Sequence, residues 1–195
     1  MRIMGWDLSI TCTGVAMPDG STAVVKPRGK GYDRLLGIEE RLCAAVRVAR
    51  PDLAVIEDIR AGLKGDAAKV VPMVHAVAIL ALGRAGVPYV LVNASTLKLY
   101  ATGYGAADKD SMALAALTYG GRTFPGDTGG DMCDAWWLRA AGYAAYGRPV
   151  VRVPQPHVDA LRAVEWPRVG EISPLMELRR KRATARPGRR RKAAV

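Results

Sequence analysis

Four carboxylates stand where folding would deliver them to one place. Asp7 closes the apolar run Arg2-Ile3-Met4-Gly5-Trp6, Glu57 closes Leu53-Ala54-Val55-Ile56, and Asp131 and Asp134 lie three residues apart at the head of an apolar segment. A carboxylate at the end of a buried strand loses hydration unless a cation or a metal ion compensates it, so Asp7 and Glu57 each call for a positive partner. Residues i and i+3 of a helix share a face, with Cβ atoms about 5–6 Å apart, so Asp131 and Asp134 can address one point. A helix N-terminus favours acids by its dipole alone, and one acid at a strand end is ordinarily capped or solvated. Four acids in this order are harder to explain that way. Hard oxygen ligands suit Mg²⁺, and two such ions about 3.5–4 Å apart activate a water and stabilise the leaving oxygen of a phosphodiester. The chemistry this predicts is metal-dependent hydrolysis of a nucleic-acid backbone.

The elements that must carry these acids are legible in the pattern. Strands are predicted over 2–6, 14–17 and 21–25, the last two joined by the turn Pro18-Asp19-Gly20, which makes three antiparallel strands in meander order. Asp33 is placed to cap a helix whose apolar positions Leu35, Leu36, Ile38, Leu42, Ala45, Val46 and Ala49 recur at helical spacing until Pro51. A buried strand follows over 53–56. The Gly-containing polar loop 60–66, with Arg60 and Lys64, lies beside Glu57 and within reach of a substrate. A largely apolar helix over 67–84 covers the sheet, with Pro72 as a local irregularity and His75 as a core or interface histidine. Its valines, with Ala78 and Leu82, offer more apolar surface than one sheet face needs, which makes part of it a candidate interface.

Further strands and helices are predicted over 89–92, 96–101 (capped by Ser95), 109–119 (capped by Asp108) and 131–146. Lys98 and Lys109 flank the turn Thr102-Gly103-Tyr104-Gly105. Trp136 and Trp137 are adjacent and cannot face one way, so one is expected to meet another element or another subunit. Beyond 150 the chain reads as an extended Pro-rich connector, a short helix over 157–164 and irregular structure.

With 195 residues, half of them apolar, the chain can bury one sizeable core and suits a single domain with a tail. The net charge of +11 is concentrated at the end: residues 179–195 hold nine of the 29 Lys and Arg and no acid, leaving 20 basic against 18 acidic residues before them. Such a tail (Arg179, Arg180, Lys181, Arg182, Arg189, Arg190, Arg191 and Lys192 among its cations) suits a polyanion, most simply nucleic acid, with anionic membrane and a merely solubilising role as alternatives. Cys12, Cys43 and Cys133 have neither disulfide-frame nor zinc-site spacing and read as small core residues in a reducing compartment. No leader segment and no apolar run of the ~20 residues needed to span a bilayer is evident, so a cytoplasmic location and no membrane partner are expected.

These motifs together resemble the RuvC-type Holliday-junction resolvases of the ribonuclease H-like superfamily. Met4-Gly5-Trp6-Asp7 is similar to the family's first strand with its metal-binding Asp, and residues 9–14 resemble its Ser/Thr turn ending in Gly. Ala54-Val55-Ile56-Glu57 resembles the second acidic strand. Lys98 with Thr102-Gly103-Tyr104-Gly105-Ala106-Ala107-Asp108-Lys109 is similar to Lys-x₃-Thr-Gly-x-Gly-x-Ala-x-Lys, and Asp131-Met132-Cys133-Asp134-Ala135 to Asp-Ala-Ala-Asp-Ala. The resemblance spans residues 1–146. It implies an α/β ribonuclease H-like mixed sheet, three antiparallel strands plus parallel ones, flanked by helices. It also implies that Asp7, Glu57, Asp131 and Asp134 bind two Mg²⁺ or Mn²⁺ ions and that Lys98 and Lys109 contact DNA phosphates. Ser9, Thr11, Arg60 and Lys64 are further candidate DNA contacts. A homodimer with two sites facing a four-way junction is the implied assembly, and paired nicks the implied outcome. Leu8-Ser9 stands where bacterial members commonly have Pro-Gly, and Arg60 where they place an aromatic. Residues 147–178 form a Pro-containing extension before the basic tail 179–195, which suggests a divergent, phage-borne member.

Two other readings compete. Asp7-Leu8-Ser9-Ile10-Thr11 with Gly130-Asp131-x-x-Asp134 imitates a haloacid-dehalogenase-like phosphatase, although Ser9 replaces the general acid and Glu57 gains no role. A non-catalytic nucleic-acid-binding module would use the tail, but a binder near phosphates gains by losing acids, and all four are present.

Overall fold

The run that ends on Asp7 is the middle strand of a five-stranded sheet. In the computed structural model, which describes residues 1–168, strands β1 (Ile3–Asp7), β2 (Thr13–Ala16) and β3 (Thr22–Val25) precede helix α1 (Tyr32–Ala49). Then follow β4 (Leu53–Glu57), α2 (Gly65–Ala85), β5 (Tyr89–Val92), α3 (Ala94–Thr102), α4 (Lys109–Gly120), α5 (Asp131–Ala145) and α6 (Gln155–Asp159), with a 3-10 turn at Ala160–Ala163. The strand order is β3-β2-β1-β4-β5. The first three strands pair antiparallel, whereas β4 is parallel to both β1 and β5. This is the mixed sheet the sequence predicts.

Alternation along the strands sends Ile3, Leu53 and Val55 to the face covered by α5, and Met4, Trp6, Ala54 and Ile56 to the face covered by α1 and α2. Both faces are dry, which is why β1 and β4 read as continuous apolar runs. Register pairs Ile3 with Leu53 and Trp6 with Ile56, so Asp7 and Glu57 emerge at the same end of neighbouring strands.

Helix α5 lies unusually close to the sheet because two glycines let its backbone in. A Cβ at Gly5 would run into the Ala135 carbonyl oxygen, and one at Gly14 into the Asp131 carbonyl oxygen. Both collisions involve backbone, so neither can be relieved by a side-chain rotation. The paired tryptophans anchor the other side of α5 within this one chain. Trp137 is fully buried, donates its ring N–H to the Met112 carbonyl at 3.1 Å and meets Tyr100 edge-on, while Trp136 packs against Phe124. No second subunit is needed to cover either ring.

Several local expectations are corrected. Helix α1 starts at Tyr32 behind Gly31, whose backbone enters at φ 50°, and has no side-chain cap; Asp33 lies in its first turn, where it faces the helix dipole instead. Helix α3 is capped by Asn93, which accepts from the Ser95 main-chain N–H at 2.9 Å, so Ser95 sits inside the helix. Asp108 caps α4 as predicted, through the Ser111 N–H at 2.8 Å. Of the cysteines only Cys133 is in the core; Cys12 and Cys43 are partly exposed, and all three are free thiols. Val151 and Leu161 are buried against the α5 side of the core, and α6 packs on α3.

Helix α2 extends beyond the predicted 67–84 and, against the expectation that no apolar run reaches that length, its 21 residues have the length and composition to cross a membrane. Here it is a covering helix, with Val74, His75, Ala78, Ala81 and Leu82 buried inside the domain. Of the residues read as surplus apolar surface, Val74, Ala78 and Leu82 belong to the core, whereas Val70, Val71 and Val77 are half-buried. The stripe left open is Pro72, Met73, Ala76 and Leu80, at helical spacing, with Met73 50% and Leu80 48% exposed.

Gly14→Ala should lower stability by about 1–3 kcal/mol, the usual cost of forcing a methyl group into packed structure, and urea unfolding of the purified chain measures it.

Candidate active site

The sheet, the α5 contact and the caps together bring three of the four acids to one point. Asp7 and Glu57 end adjacent strands, Asp134 descends from the first turn of α5, and one oxygen of each lies within 4.8 Å of the others. All three are partly buried. Asp131 stands outside this triad. As the first residue of α5 it leans toward the helix N-terminus, over the 9–14 turn, where its carboxylate faces the Cys12 thiol. Burial and the nearby Asp131 carboxylate push the Cys12 thiol up to about 11.

Both acids of α5 are free for chemistry because another residue caps the helix. Gly130, left-handed at φ 79°, offers no side chain, and Asp127 reaches in to accept from the Cys133 N–H at 2.9 Å. Sequence reasoning missed Asp127. The signal was present as an acid set before Thr128-Gly129-Gly130, where only a reach from outside the helix can cap it.

The cluster is short of positive charge. Burial raises Asp7 well above the ordinary carboxylate range, and Glu57, Asp134 and Asp131 raise it further against the pull of Lys109. Asp134 is pushed up to about 7, first by burial and then by Glu57, with Lys98 opposing. Burial also raises Glu57, while Lys98 and Arg60 lower it. The cations nearby therefore temper the site without neutralising it, and among the described residues no salt bridge involves any of the four acids. An all-oxygen donor set with unsatisfied negative charge fits a hard divalent cation.

Beside the triad opens a cleft of about 480 Å³, lined by Glu57 and Asp134 and by Arg60, Lys98 and Lys109. Asp58, Asn93, Ser95 and Asp108, none of them singled out as site residues from sequence, also line it. The loop between the two lysines is held by Thr102, whose Oγ1 donates to the Lys98 carbonyl at 2.9 Å and accepts from the Tyr104 N–H at 3.1 Å. Lys98 and Lys109 thus stand on firm supports.

Ser9 and Thr11 are not among the cleft residues. Their hydroxyls meet each other at 3.2 Å in a turn pinned by buried Thr13, which accepts from the Ser9 N–H and donates to the Ser9 carbonyl. Ser9 instead lines a second groove of about 850 Å³ with Leu8, Ile10, Lys30 and Arg34. Lys64 is exposed at the start of α2, outside the cleft. The tail cations Arg179, Arg180, Lys181, Arg182, Arg189, Arg190, Arg191 and Lys192 lie outside the described residues. The phosphatase alternative fails on Glu57, for which it has no role and which sits in the middle of the triad.

Comparison with known proteins points the same way. No protein-family model matches the chain. It is 33% identical over 124 residues to the crossover junction endodeoxyribonuclease RuvC of Chloroflexus aggregans, a match covering 63% of this chain and 76% of that protein. It is 29% identical over 139 residues to the RuvC of a Caulobacter species, covering 69% and 79%. Its fold is similar to that of Thermus thermophilus RuvC, solved in complex with a Holliday junction substrate (TM-score 0.64, 22% identity, 78% of this chain and 99% of that chain). A second structure of the Thermus protein gives a TM-score of 0.57 at 23% identity, over 78% of this chain and all of that one.

Raised carboxyls have a defined consequence for pH. A metal-free Asp134 holds its proton up to about pH 7 in the folded chain but loses it near 4 when unfolded. The folded state then binds more protons between those values, so metal-free stability should fall as pH rises from about 4 to about 7. Divalent-ion affinity should rise over the same interval, because binding expels the proton. Thermal melts with and without Mn²⁺ across that range test both signs.

Proposed function

This chain belongs to the RuvC family of crossover junction endodeoxyribonucleases, and from that membership we propose that it resolves four-way DNA junctions by metal-dependent phosphodiester hydrolysis at Asp7, Glu57 and Asp134. The observation that carries the proposal is the triad within 4.8 Å, beside a cleft whose other side chains include Lys98, Lys109 and Arg60. Acids grouped for cations next to cations grouped for phosphates is the arrangement a phosphodiesterase needs.

Asp7, Glu57 and Asp134 would hold Mg²⁺ or Mn²⁺, two per site in this proposal, with Asp131 a further candidate ligand. When bound, such ions supply the positive charge that makes water a competent nucleophile and steadies the leaving oxygen. In the net reaction a P–O bond forms to the water oxygen and the P–O bond to the leaving sugar oxygen breaks. Lys98 and Lys109 bind the non-bridging oxygens of the strand being cut and hold it in register, from positions fixed by the Thr102 hydrogen bonds and the Asp108 cap. Arg60, distant from them in sequence but in the same cleft, adds a planar donor to the strand or to a base at the branch.

Two cuts placed symmetrically require two sites related by a two-fold axis, which a homodimer supplies. The open stripe Pro72, Met73, Ala76 and Leu80 on α2 is the apolar surface best suited to that contact. The second groove, where Lys30 and Arg34 border apolar Leu8, Ile10 and Met73, runs alongside it.

Asp7→Asn, Glu57→Gln and Asp134→Asn should each reduce cleavage of a labelled four-way junction in Mg²⁺ by at least ~10³-fold, the scale on which loss of catalytic electrostatics is felt, while junction binding survives. Full activity in any of them removes that residue from the site. Separately, the double variant Met73→Glu/Leu80→Glu should halve the mass seen by light scattering. An unchanged mass would place the dimer contact elsewhere.

A further inference from the structure

Resting on the metal-dependent reading above, we propose that His75 is a positioning residue of the metal site, holding the main chain of Glu57 through its ring Nε2. His75 is 5% exposed and lies on the inner side of α2. Its Nε2 is 3.0 Å from the Glu57 carbonyl oxygen and its Nδ1 3.1 Å from the Val71 carbonyl oxygen. Both partners are acceptors only, so a ring nitrogen holds either of them only by donating an N–H. The Val71 carbonyl already accepts the main-chain N–H four residues on, as every carbonyl inside a helix does. The Glu57 carbonyl is the one in need, and that places the hydrogen on Nε2.

Glu57 needs such a hold because the sheet releases it on the β1 side. The ladder between β1 and β4 runs to Trp6 and Ile56 and stops one residue short of the acids. On the other flank Asp58 still donates its N–H to the Val92 carbonyl at 2.9 Å. With β5 on one side and the imidazole on the other, the strand end is clamped, and the Glu57 side chain starts from a fixed Cα toward Asp7 and Asp134. A ligand carboxylate whose backbone drifts loses affinity for its metal although no ligand atom has been changed. Groups behind metal ligands are typically worth 10–100-fold in affinity.

The test uses two side chains of nearly equal length and volume. The amide Nε2 of His75→Gln can replace the ring donor to Glu57, whereas His75→Met fills the same space and donates nothing. Mn²⁺ binding by calorimetry on the full chain should be within about three-fold of the parent for the Gln variant and about ten-fold or more weaker for the Met variant. The Mn²⁺ concentration for half-maximal junction cleavage should shift in parallel, with the rate at saturating metal largely restored. Thermal melts separate this from simple destabilisation, since apolar Met suits the buried site at least as well as Gln. If both variants fold and bind Mn²⁺ alike, whether both strongly or both weakly, the proposal is overturned. In the unsubstituted protein, ¹⁵N spectra of the labelled ring should show a protected Nε2–H whose resonance moves on adding Mg²⁺; an Nδ1–H tautomer overturns the proposal even if the variants do not fold. Parent protein that binds no Mn²⁺ would overturn the metal reading and this proposal with it, whereas parent binding with indifferent variants overturns this proposal alone.

Discussion

Three carboxylates confined within 4.8 Å of one another repel, lose water and raise one another's proton affinity, and the rest of the domain is built to enforce that confinement. Parallel pairing of β1 with β4 sets Asp7 beside Glu57. The glycines at 5 and 14 let α5 come down far enough for Asp134 to join them. Asp127 takes over the capping of α5, so the first-turn acids are not spent on their own helix. Two of these features are poor choices for stability alone: glycine in a strand costs entropy and packing, and buried acids without partners are expensive. Together they make sense only if a cation completes the site.

Much of this is legible in the order of residues along the chain. A run of apolar residues stopped by an acid is a strong local signal, and two such runs in a parallel sheet converge without further information. Asp134 is legible for the same reason, as an acid in the first turn of an apolar helix. What does not show are relations carried by geometry across the fold. Asp131 shares a helix face with Asp134 by spacing, yet the lean of helical side chains toward the N-terminus carries it out of the triad and onto Cys12. Asn93 outcompetes Ser95 as a cap because its amide oxygen reaches both the N–H and the hydroxyl of Ser95, and residue types alone do not decide between neighbours. Ser9 and Thr11 look like ligand-binding hydroxyls in sequence, but their bonds to each other and to Thr13 make them a turn.

The cleft separates charge in a way that suits a polyanionic substrate. Positive side chains on α3, at the start of α4 and after β4 line it beside the acids, and none is locked to them in an ion pair among the described residues. A cation fully paired with a carboxylate is a weak phosphate ligand, because the incoming strand must first displace the acid. Leaving Lys98 and Lys109 unpaired costs some repulsion relief for Glu57 and Asp134 in the metal-free chain and preserves two donors for the backbone.

Helix α2 connects the two scales of the molecule. Its inner side carries His75 against the Glu57 carbonyl, and its outer side carries the open stripe from Pro72 to Leu80. Met73 and His75 are two residues apart, on opposite sides of one helical turn. Proline at 72 removes the N–H that would bond the Ala68 carbonyl, in the turn that precedes both Met73 and His75. If the subunits join through that stripe, as proposed, the contact lies on the same helix as the imidazole that faces the Glu57 carbonyl.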